Sequence, residues 1–157
     1  MSGFRFGVRL GIDVGKARVG VARCDREGLL AVPIETVART DAAVARIAEL
    51  VAEYDAFEVL VGLPIGLSGA ETASTADARA FAAQIAAASA APVRLVDERL
   101  STVSAHAALR EAGRTQRSSR RIVDQIAAVV LLQQAIDVEK NTGAPAGVAL
   151  PEPQESA

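Results

Sequence analysis

The chain is predicted to be an α/β protein with a mixed five-stranded sheet flanked by helices, and two observations predict this class. Residues 8–37 contain three β-prone segments separated only by short turns, which is typical of an antiparallel meander. Two short apolar segments, at 59–63 and 93–96, each follow a stretch of helical periodicity. Strands that follow helices in this way are expected to lie parallel to the first strand, with both faces buried.

The individual elements follow from apolar periodicity and turn residues. The expected strands are 8–14, 18–25, 31–37, 59–63 and 93–96. The expected helices cover about 41–54, 74–90, 102–113 and 119–140. Thr40 or Asp41 is expected to cap the first helix, and Ser74 with Asp77 is expected to form a capping box on the second. The last helix contains seven consecutive apolar residues, 126–132, and should therefore be largely buried.

Length and composition predict one domain with a substantial core. Of the 157 residues, half are apolar and only 3% are aromatic, so Ala, Val, Leu and Ile must supply the core. A single domain is expected over residues 1–140, followed by a flexible tail at 141–157 that contains three prolines and several polar residues.

The cysteine content and the hydropathy indicate a cytoplasmic protein. Cys24 is the one cysteine, which excludes a disulfide within the chain and a zinc cluster built on cysteines. A small, inert strand residue is the ordinary role of such a cysteine. No segment approaches the roughly 18 apolar residues that a membrane span needs, so no membrane partner is expected.

The net charge of −2 argues against a protein that coats nucleic acid through bulk electrostatics. The distribution of charge matters more, because residues 94–121 contain seven arginines and only three acids. This segment either forms a basic face for nucleic acid or is a solvated, arginine-rich surface, and both interpretations stay open.

Asp13 is unusual because it lies near the end of an otherwise apolar strand. A carboxylate there is costly to desolvate unless a cation or a hydrogen-bonding group meets it. Gly11, Gly15 and Gly20 are expected where the backbone turns or where a ligand approaches closely. The alternative is a hairpin in which Asp13 only caps the turn.

Three carboxylates, Asp13, Glu98 and Asp124, are expected at one edge of the sheet. Asp13 and Glu98 follow the carboxyl ends of strands, and Asp124 lies in the first turns of the buried last helix. Ligands of such sheets gather at this edge. The alternatives are local: Glu98 pairs with Arg94 or Arg99, and Asp124 pairs with Arg120 or Arg121 at helical spacing.

Carboxylates placed so close repel one another unless a cation neutralises them. Mg²⁺ or Mn²⁺ is the expected guest, because hard divalent ions prefer oxygen ligands and retain positions for water and phosphate oxygens. Two ions about 4 Å apart are the arrangement that suits phosphodiester hydrolysis. Lys16 and Arg18 on the adjacent hairpin are positioned to offset phosphate charge.

Four segments in this order resemble the YqgF family of ribonuclease-H-like proteins. They are 11–22 (GIDVGKARVGVA), 61–64 (VGLP), 97–102 (DERLST) and 123–128 (VDQIAA), within a match that covers about residues 8–139. Family members are described as Holliday junction resolvases and as nucleases that mature the end of small-subunit ribosomal RNA. The resemblance implies a ribonuclease-H-like nuclease domain with Asp13, Glu98 and Asp124 as metal ligands and catalytic residues.

The resemblance also implies Mg²⁺- or Mn²⁺-dependent cleavage of structured nucleic acid, either precursor ribosomal RNA or branched DNA. The expected contacts to nucleic-acid phosphates are Lys16, Arg18, Arg99, Arg117, Arg120 and Arg121. Two departures from the family pattern affect this side of the site. Gly15-Lys16-Ala17-Arg18 replaces the usual Gly-Thr-Lys-Arg, and residues 65–69 lack the Asn that commonly follows the VGLP segment.

Other functions remain as alternatives. A binding module of the same fold would use the arginines between 110 and 121 to hold RNA or a ribosomal or transcription partner, and its binding would persist in EDTA. An actin-like phosphotransferase would need a second lobe, which 157 residues do not provide. A homodimer would suit the two-fold symmetry of a four-way junction, whereas an RNA end would not require one.

Overall fold

The computed structural model describes residues 3–65, 68–98 and 120–150, with the side chains of 120–123 excepted. The strands are β1 (Arg9–Val14), β2 (Arg18–Cys24), β3 (Ala31–Ala38), β4 (Glu58–Leu63), β5 (Val93–Asp97) and β6 (Val148–Ala149). The helices are α1 (Ala43–Glu53), α2 (Ala73–Ala88) and α3 (Arg120–Thr142). The helix predicted at 102–113 lies outside the described residues.

One mixed sheet organises the chain, with the strand order β3-β2-β1-β4-β5-β6. β1, β2 and β3 form the predicted antiparallel meander, and β4 and β5 continue the sheet parallel to β1. The predicted α/β class and mixed sheet are therefore confirmed. Because β4 and β5 run parallel to β1, the carboxyl ends of these three strands lie at the same edge of the sheet.

The sheet has six strands instead of the five predicted. β6 pairs antiparallel with β5, and Arg94 holds the segment before it by donating from Nε to the carbonyl of Ala146 at 2.8 Å. This strand lies within residues 141–157, which were predicted to form a flexible tail. The proline and glycine residues around it are typical of a tail and did not indicate a strand. The domain boundary near residue 140 stays a prediction, and residues 151–157 lie outside the described residues.

The sheet buries a different hydrophobic cluster on each face. Alternate residues of β1, β4 and β5, such as Ile12, Val61 and Leu95, pack against α1 and α2. The intervening positions, such as Leu60 and Val96, face α3. Because successive side chains of a strand point to opposite faces, this division determines the face on which each remaining residue of these strands lies.

Helix starts differ from the predicted caps. α1 begins after Ala42, which supplies no side-chain cap, instead of after Thr40 or Asp41. α2 begins after Thr72, whose side chain and that of Thr75 form a reciprocal capping box. The predicted box at Ser74 and Asp77 was two residues too late. The side chain of Asp77 instead accepts hydrogen bonds from Arg39, which follows β3.

Within the described residues, no helix is both long and apolar enough to cross a bilayer.

Candidate active site

Asp13, Glu98, Asp124 and Arg18 come together on the α3 face of the sheet at its carboxyl edge. Ile12 packs on the opposite face, so strand alternation directs Asp13 toward α3. Asp13 pairs in the ladder with Gly20 of β2, and Glu98 directly follows β5. Asp124 lies in the second turn of α3, the helix that packs on β1, β2 and β3. The predicted gathering of carboxylates at one edge is therefore what the described residues show.

Two glycines allow the backbone and side chains of this site to approach the sheet. A Cβ atom at Gly20 would overlap the backbone carbonyl oxygen of Asp124, so only glycine lets α3 lie this close to β2. A Cβ atom at Gly62 would lie 2.5 Å from Oε1 of Glu98. The space above the sheet that these glycines leave is the space in which the acidic side chains meet.

Asp13 and Glu98 form a carboxyl pair joined by a hydrogen bond. Burial raises the pKa of Glu98 to about 8, and the charges of Asp13 and Asp97 add to the shift. Burial also raises the pKa of Asp13, with a further contribution from the negative charge of Asp124, while the hydrogen bond from Glu98 opposes the rise. The two carboxyls titrate as a coupled pair, and the hydrogen bond between them favours ionisation of Asp13 over that of Glu98.

Asp124 is held by an arginine that lies on the neighbouring hairpin. Nε of Arg18 donates to Oδ2 of Asp124 at 2.9 Å, and the side chains are 29% and 20% exposed respectively. Arg18 was predicted to contact substrate phosphate, but its pairing with Asp124 was not predicted. The pair joins the first residue of β2 to α3 and neutralises the third acid of the site.

The chemistry of these side chains fits a hard divalent cation. Two half-buried carboxyls joined by a hydrogen bond and a third carboxylate nearby are oxygen donors whose mutual repulsion a cation would relieve. Within residues 3–65, 68–98 and 124–150, however, no three acidic, His or Cys side chains are close enough to hold an ion together. Asp124 is drawn to Arg18 while Asp13 and Glu98 are drawn to each other.

Lys16 lies in the turn between β1 and β2, where it lines an open cleft of about 460 Å³ together with Ser74 and Asp77. Arg39 also lines this cleft and fixes its walls. Its guanidinium donates to both carboxylate oxygens of Asp77 at 2.8 Å and to the carbonyl of Gly15 at 2.9 Å. The exposed Lys16 is therefore presented on a hairpin that Arg39 ties to α2, a connection that the sequence did not reveal.

The other predicted phosphate contacts are not placed by the structure. Arg99 and Arg117 lie outside the described residues, and so does the segment between them. Arg120 and Arg121 belong to the first turn of α3, but their side chains lie outside the described part. Cys24 is fully buried, and its sulfur accepts from the backbone N–H of Arg9 at 3.3 Å, consistent with a packing role.

The fold is of the ribonuclease-H-like class, and two solved structures share it. The structure titled "T. thermophilus RuvC in complex with Holliday junction substrate" matches with a TM-score of 0.63 and 16% sequence identity, over 92% of this chain and 99% of that one. A second structure of Thermus thermophilus RuvC matches with a TM-score of 0.54 and 17% identity, over 91% and 99% of the two chains.

A profile of the family described as "RuvX: Holliday junction resolvase" matches residues 7–138. The chain belongs to this family, which is the YqgF family that its motifs resemble. The chain is accordingly an enzyme, a nuclease, as predicted.

Close relatives carry the name "Putative pre-16S rRNA nuclease". The protein of Leifsonia xyli is 57% identical over 145 residues, which cover 91% of this chain and 94% of the relative. The protein of Clavibacter michiganensis is 53% identical over 150 residues, covering 94% and 93%. The protein of Streptomyces coelicolor is 49% identical over 146 residues, covering 91% and 87%.

Proposed function

We propose that this chain is a metal-dependent endonuclease that processes the 5′ end of precursor 16S ribosomal RNA. The observation that carries the proposal is the hydrogen-bonded Asp13 and Glu98 pair near Asp124, at the edge of the sheet where ligands of such folds bind. The names of the relatives, which are about half identical over most of the chain, support RNA as the substrate. The junction in the RuvC structure is a weaker guide, because 16% identity supports only the fold.

In this proposal Asp13, Glu98 and Asp124 hold Mg²⁺ or Mn²⁺ and are the catalytic residues. Bound ions, two in the expected arrangement, would supply Lewis acidity and a water of lowered pKa. Glu98 gives up the proton that it shares with Asp13 when an ion binds, so cleavage should fall as the pH drops below the pKa of the pair. Ion binding and the ionisation of Glu98 are therefore coupled.

The cations around the acidic edge would bind the phosphates of the substrate. Lys16 and Arg18 lie on the hairpin next to Asp13. Lys16 is three residues along the chain from Asp13, so the Cα atoms of these two residues lie within about 11 Å of each other. Arg99, Arg117, Arg120 and Arg121 are included in the proposal from the sequence alone. Cytoplasmic location and a homodimer belong to the same set of proposals.

The test compares wild type with Asp13→Asn on two substrates, a precursor 16S RNA 5′ end and a synthetic four-way DNA junction. Each reaction is run with Mg²⁺, with Mn²⁺ and with EDTA. We expect cleavage of the RNA with either ion, none in EDTA, and a loss of at least 100-fold in Asp13→Asn, because a neutral amide is a poor ligand for a hard cation. Glu49→Gln on α1, whose side chain is 67% exposed, is the matched control and should cleave normally.

Each outcome has a distinct meaning. Cleavage of the junction alone would keep the nuclease and replace the substrate. Retained activity in Asp13→Asn would remove Asp13 from the catalytic set. Binding of RNA in EDTA, without cleavage in any metal, would overturn the proposal in favour of the binding module.

A further inference from the structure

Arg18 forms an ion pair with Asp124 within the acidic edge. This pair conflicts with the role of metal ligand that is proposed for Asp124. The Nε atom lies 2.9 Å from Oδ2, so the guanidinium occupies an oxygen that an ion would need. Among the described side chains of the acidic edge, Arg18 is the cation that contacts an acid, and that acid is Asp124. The positive charge of Arg18 beside Oδ2 repels a divalent cation that approaches Asp124, so we expect the two cations to compete for this carboxylate.

The backbone around this pair is held in place, so the competition involves side chains. The backbone N–H of Gly15 donates to the carbonyl of Arg18 at 2.9 Å and closes the hairpin. At the other side, Gly20 packs directly against the backbone of Asp124. Neither β2 nor the start of α3 has room to move toward the other, whereas both charged side chains are partly exposed and can change rotamer.

We infer that Arg18 is a positioning residue that withholds Asp124 from Asp13 and Glu98 until a divalent cation replaces its guanidinium. This inference rests on the proposed function, since it concerns the same three carboxylates. It explains why Asp13 and Glu98 are paired with each other while Asp124 is turned to a different partner. The displaced guanidinium is then available for the phosphate contact proposed above.

The inference predicts the sign of a change in metal affinity. Removing an ordinary ligand-supporting residue weakens metal binding, whereas removing a competitor strengthens it. Mn²⁺ is titrated into metal-free wild type, Arg18→Gln and Arg18→Met, and the dissociation constant is measured by calorimetry and by the electron paramagnetic resonance of free Mn²⁺. We expect both variants to bind Mn²⁺ about fivefold more tightly, the scale of a partly exposed ion pair that no longer has to be broken.

Arg46→Gln is the matched control, because Arg46 is also paired with carboxylates but lies on α1, across the sheet from α3. Its affinity for Mn²⁺ should equal that of wild type. Unchanged or weaker Mn²⁺ binding in both Arg18 variants, with Arg46→Gln unchanged, would overturn the inference. Two different replacements are used so that a folding defect of one does not decide the result.

A second measurement separates a positioning role from a merely structural one. Without metal, the Arg18 variants should melt at a lower temperature than wild type, since the acids lose their neutralising charge. Saturating Mn²⁺ should remove this difference. A deficit in melting temperature that persists at saturating Mn²⁺ would mean that Arg18 only supports the fold, and it would overturn the inference.

Asp13→Asn and Asp124→Asn show which idea has failed if the main prediction is not met. If Asp13→Asn abolishes Mn²⁺ binding but Asp124→Asn does not affect it, Arg18 has no ligand to withhold and the inference alone is overturned. If neither variant weakens Mn²⁺ binding, the ion site itself is wrong and the proposed function fails with it.

Discussion

The two ends of β1 each carry buried charge, but they balance it differently. At the amino end, Arg9 is 1% exposed and belongs to a cluster with Arg5, Glu58 and Glu139. At the carboxyl end, Asp13 belongs to the acidic edge with Glu98, Asp124 and Arg18. Among the described side chains, the first group contains two cations and two anions, and the second contains three acids and one cation.

The cluster at the amino end is complete in itself. Arg9 donates from Nη2 to Glu139 at 3.0 Å, and Arg5 contacts both Glu58 and Glu139 at less than 3 Å. The rings of Phe4 and Phe57 lie 4.5 and 4.7 Å from the Arg9 guanidinium. Although burial opposes ionisation of Glu139, hydrogen bonds and charges from the arginines hold its pKa below the ordinary value.

The acidic edge at the carboxyl end is incomplete by the same criterion. Burial and the charges of neighbouring acids raise the pKa values of Asp13 and Glu98, and the described contact of Arg18 is with Asp124. Acids and cations that balance one another support the structure, whereas acids with raised pKa values that lie together are typical of a functional site. The balance of charge therefore distinguishes the structural cluster from the candidate active site on one strand.

Breaking the balanced cluster should give the largest effect on stability. Glu139→Gln removes one anion and leaves the buried Arg9 without its closest charged partner. We expect the free energy of unfolding to fall by about 3 kcal/mol, the usual cost of leaving a buried charge unpaired. Urea denaturation at neutral pH measures it.

Glu49→Gln is the control for this change, because its carboxylate is mostly exposed and should unfold like wild type. Cleavage by folded Glu139→Gln should be normal. A loss of activity at unchanged stability would contradict the separation between the two ends of the strand.

The sequence predicted the meander, the parallel strands and the acidic edge because each depends on local or topological regularities. Alternation of apolar residues defined the strands, and the order of strands and helices brought Asp13 and Glu98 to one edge. The buried cluster was not predicted, because Arg9 and Glu139 are 130 residues apart and local patterns do not identify the charged partner of either residue. An arginine within an apolar strand is a signal that would have suggested one.

Partners across the sheet were the other failure of sequence reasoning. The alternative for Asp124 was a salt bridge at helical spacing to Arg120 or Arg121, whose side chains lie outside the described part, and the described partner, Arg18, lies on β2. The capping box was misplaced, and Asp77 instead pairs with Arg39. Both described ion pairs join residues far apart in the sequence, so local patterns did not reveal them.

Gly20→Ala should give the next largest effect, since it pushes α3 away from the acidic edge. The added Cβ overlaps a backbone carbonyl, which cannot move without the helix. We expect a loss of about 2 kcal/mol in the free energy of unfolding, as for other overpacked sites, together with a large loss of cleavage. Urea denaturation and RNA cleavage assays measure the two effects. Wild-type stability would show that α3 is not packed on β2 at this point.

The pH dependence of stability tests whether the pKa of Glu98 is raised in the folded chain. The pKa of Glu98 is about 8 in the folded chain and has its ordinary, lower value when unfolded. The folded state then binds the proton more tightly, so stability contributed by this group is present at low pH and is lost as the pH rises from about 4.5 to 8. Glu98→Gln cannot ionise and should lack this dependence.

The measurement compares the free energy of unfolding of metal-free wild type and Glu98→Gln between pH 5 and pH 8. Relative to the variant, wild type should lose up to about 1 kcal/mol per pH unit. Saturating Mn²⁺ should reduce the dependence, because an ion replaces the proton. Parallel profiles for the two proteins would mean that Glu98 is compensated in the folded chain, and the contrast between the two ends of β1 would disappear.

Gly62→Ala should have the smallest effect on stability while still disturbing the site. Its Cβ would meet the end of the Glu98 side chain, which can rotate away, whereas the neighbour of Gly20 is backbone. We therefore expect a change below about 1 kcal/mol in the free energy of unfolding. Rotation of Glu98 separates it from Asp13, so Mn²⁺ affinity should fall several-fold, as calorimetry would measure. Equal destabilisation by Gly62→Ala and Gly20→Ala would mean that both glycines are needed for helix packing. It would contradict the view that Gly62 makes space for the side chain of Glu98.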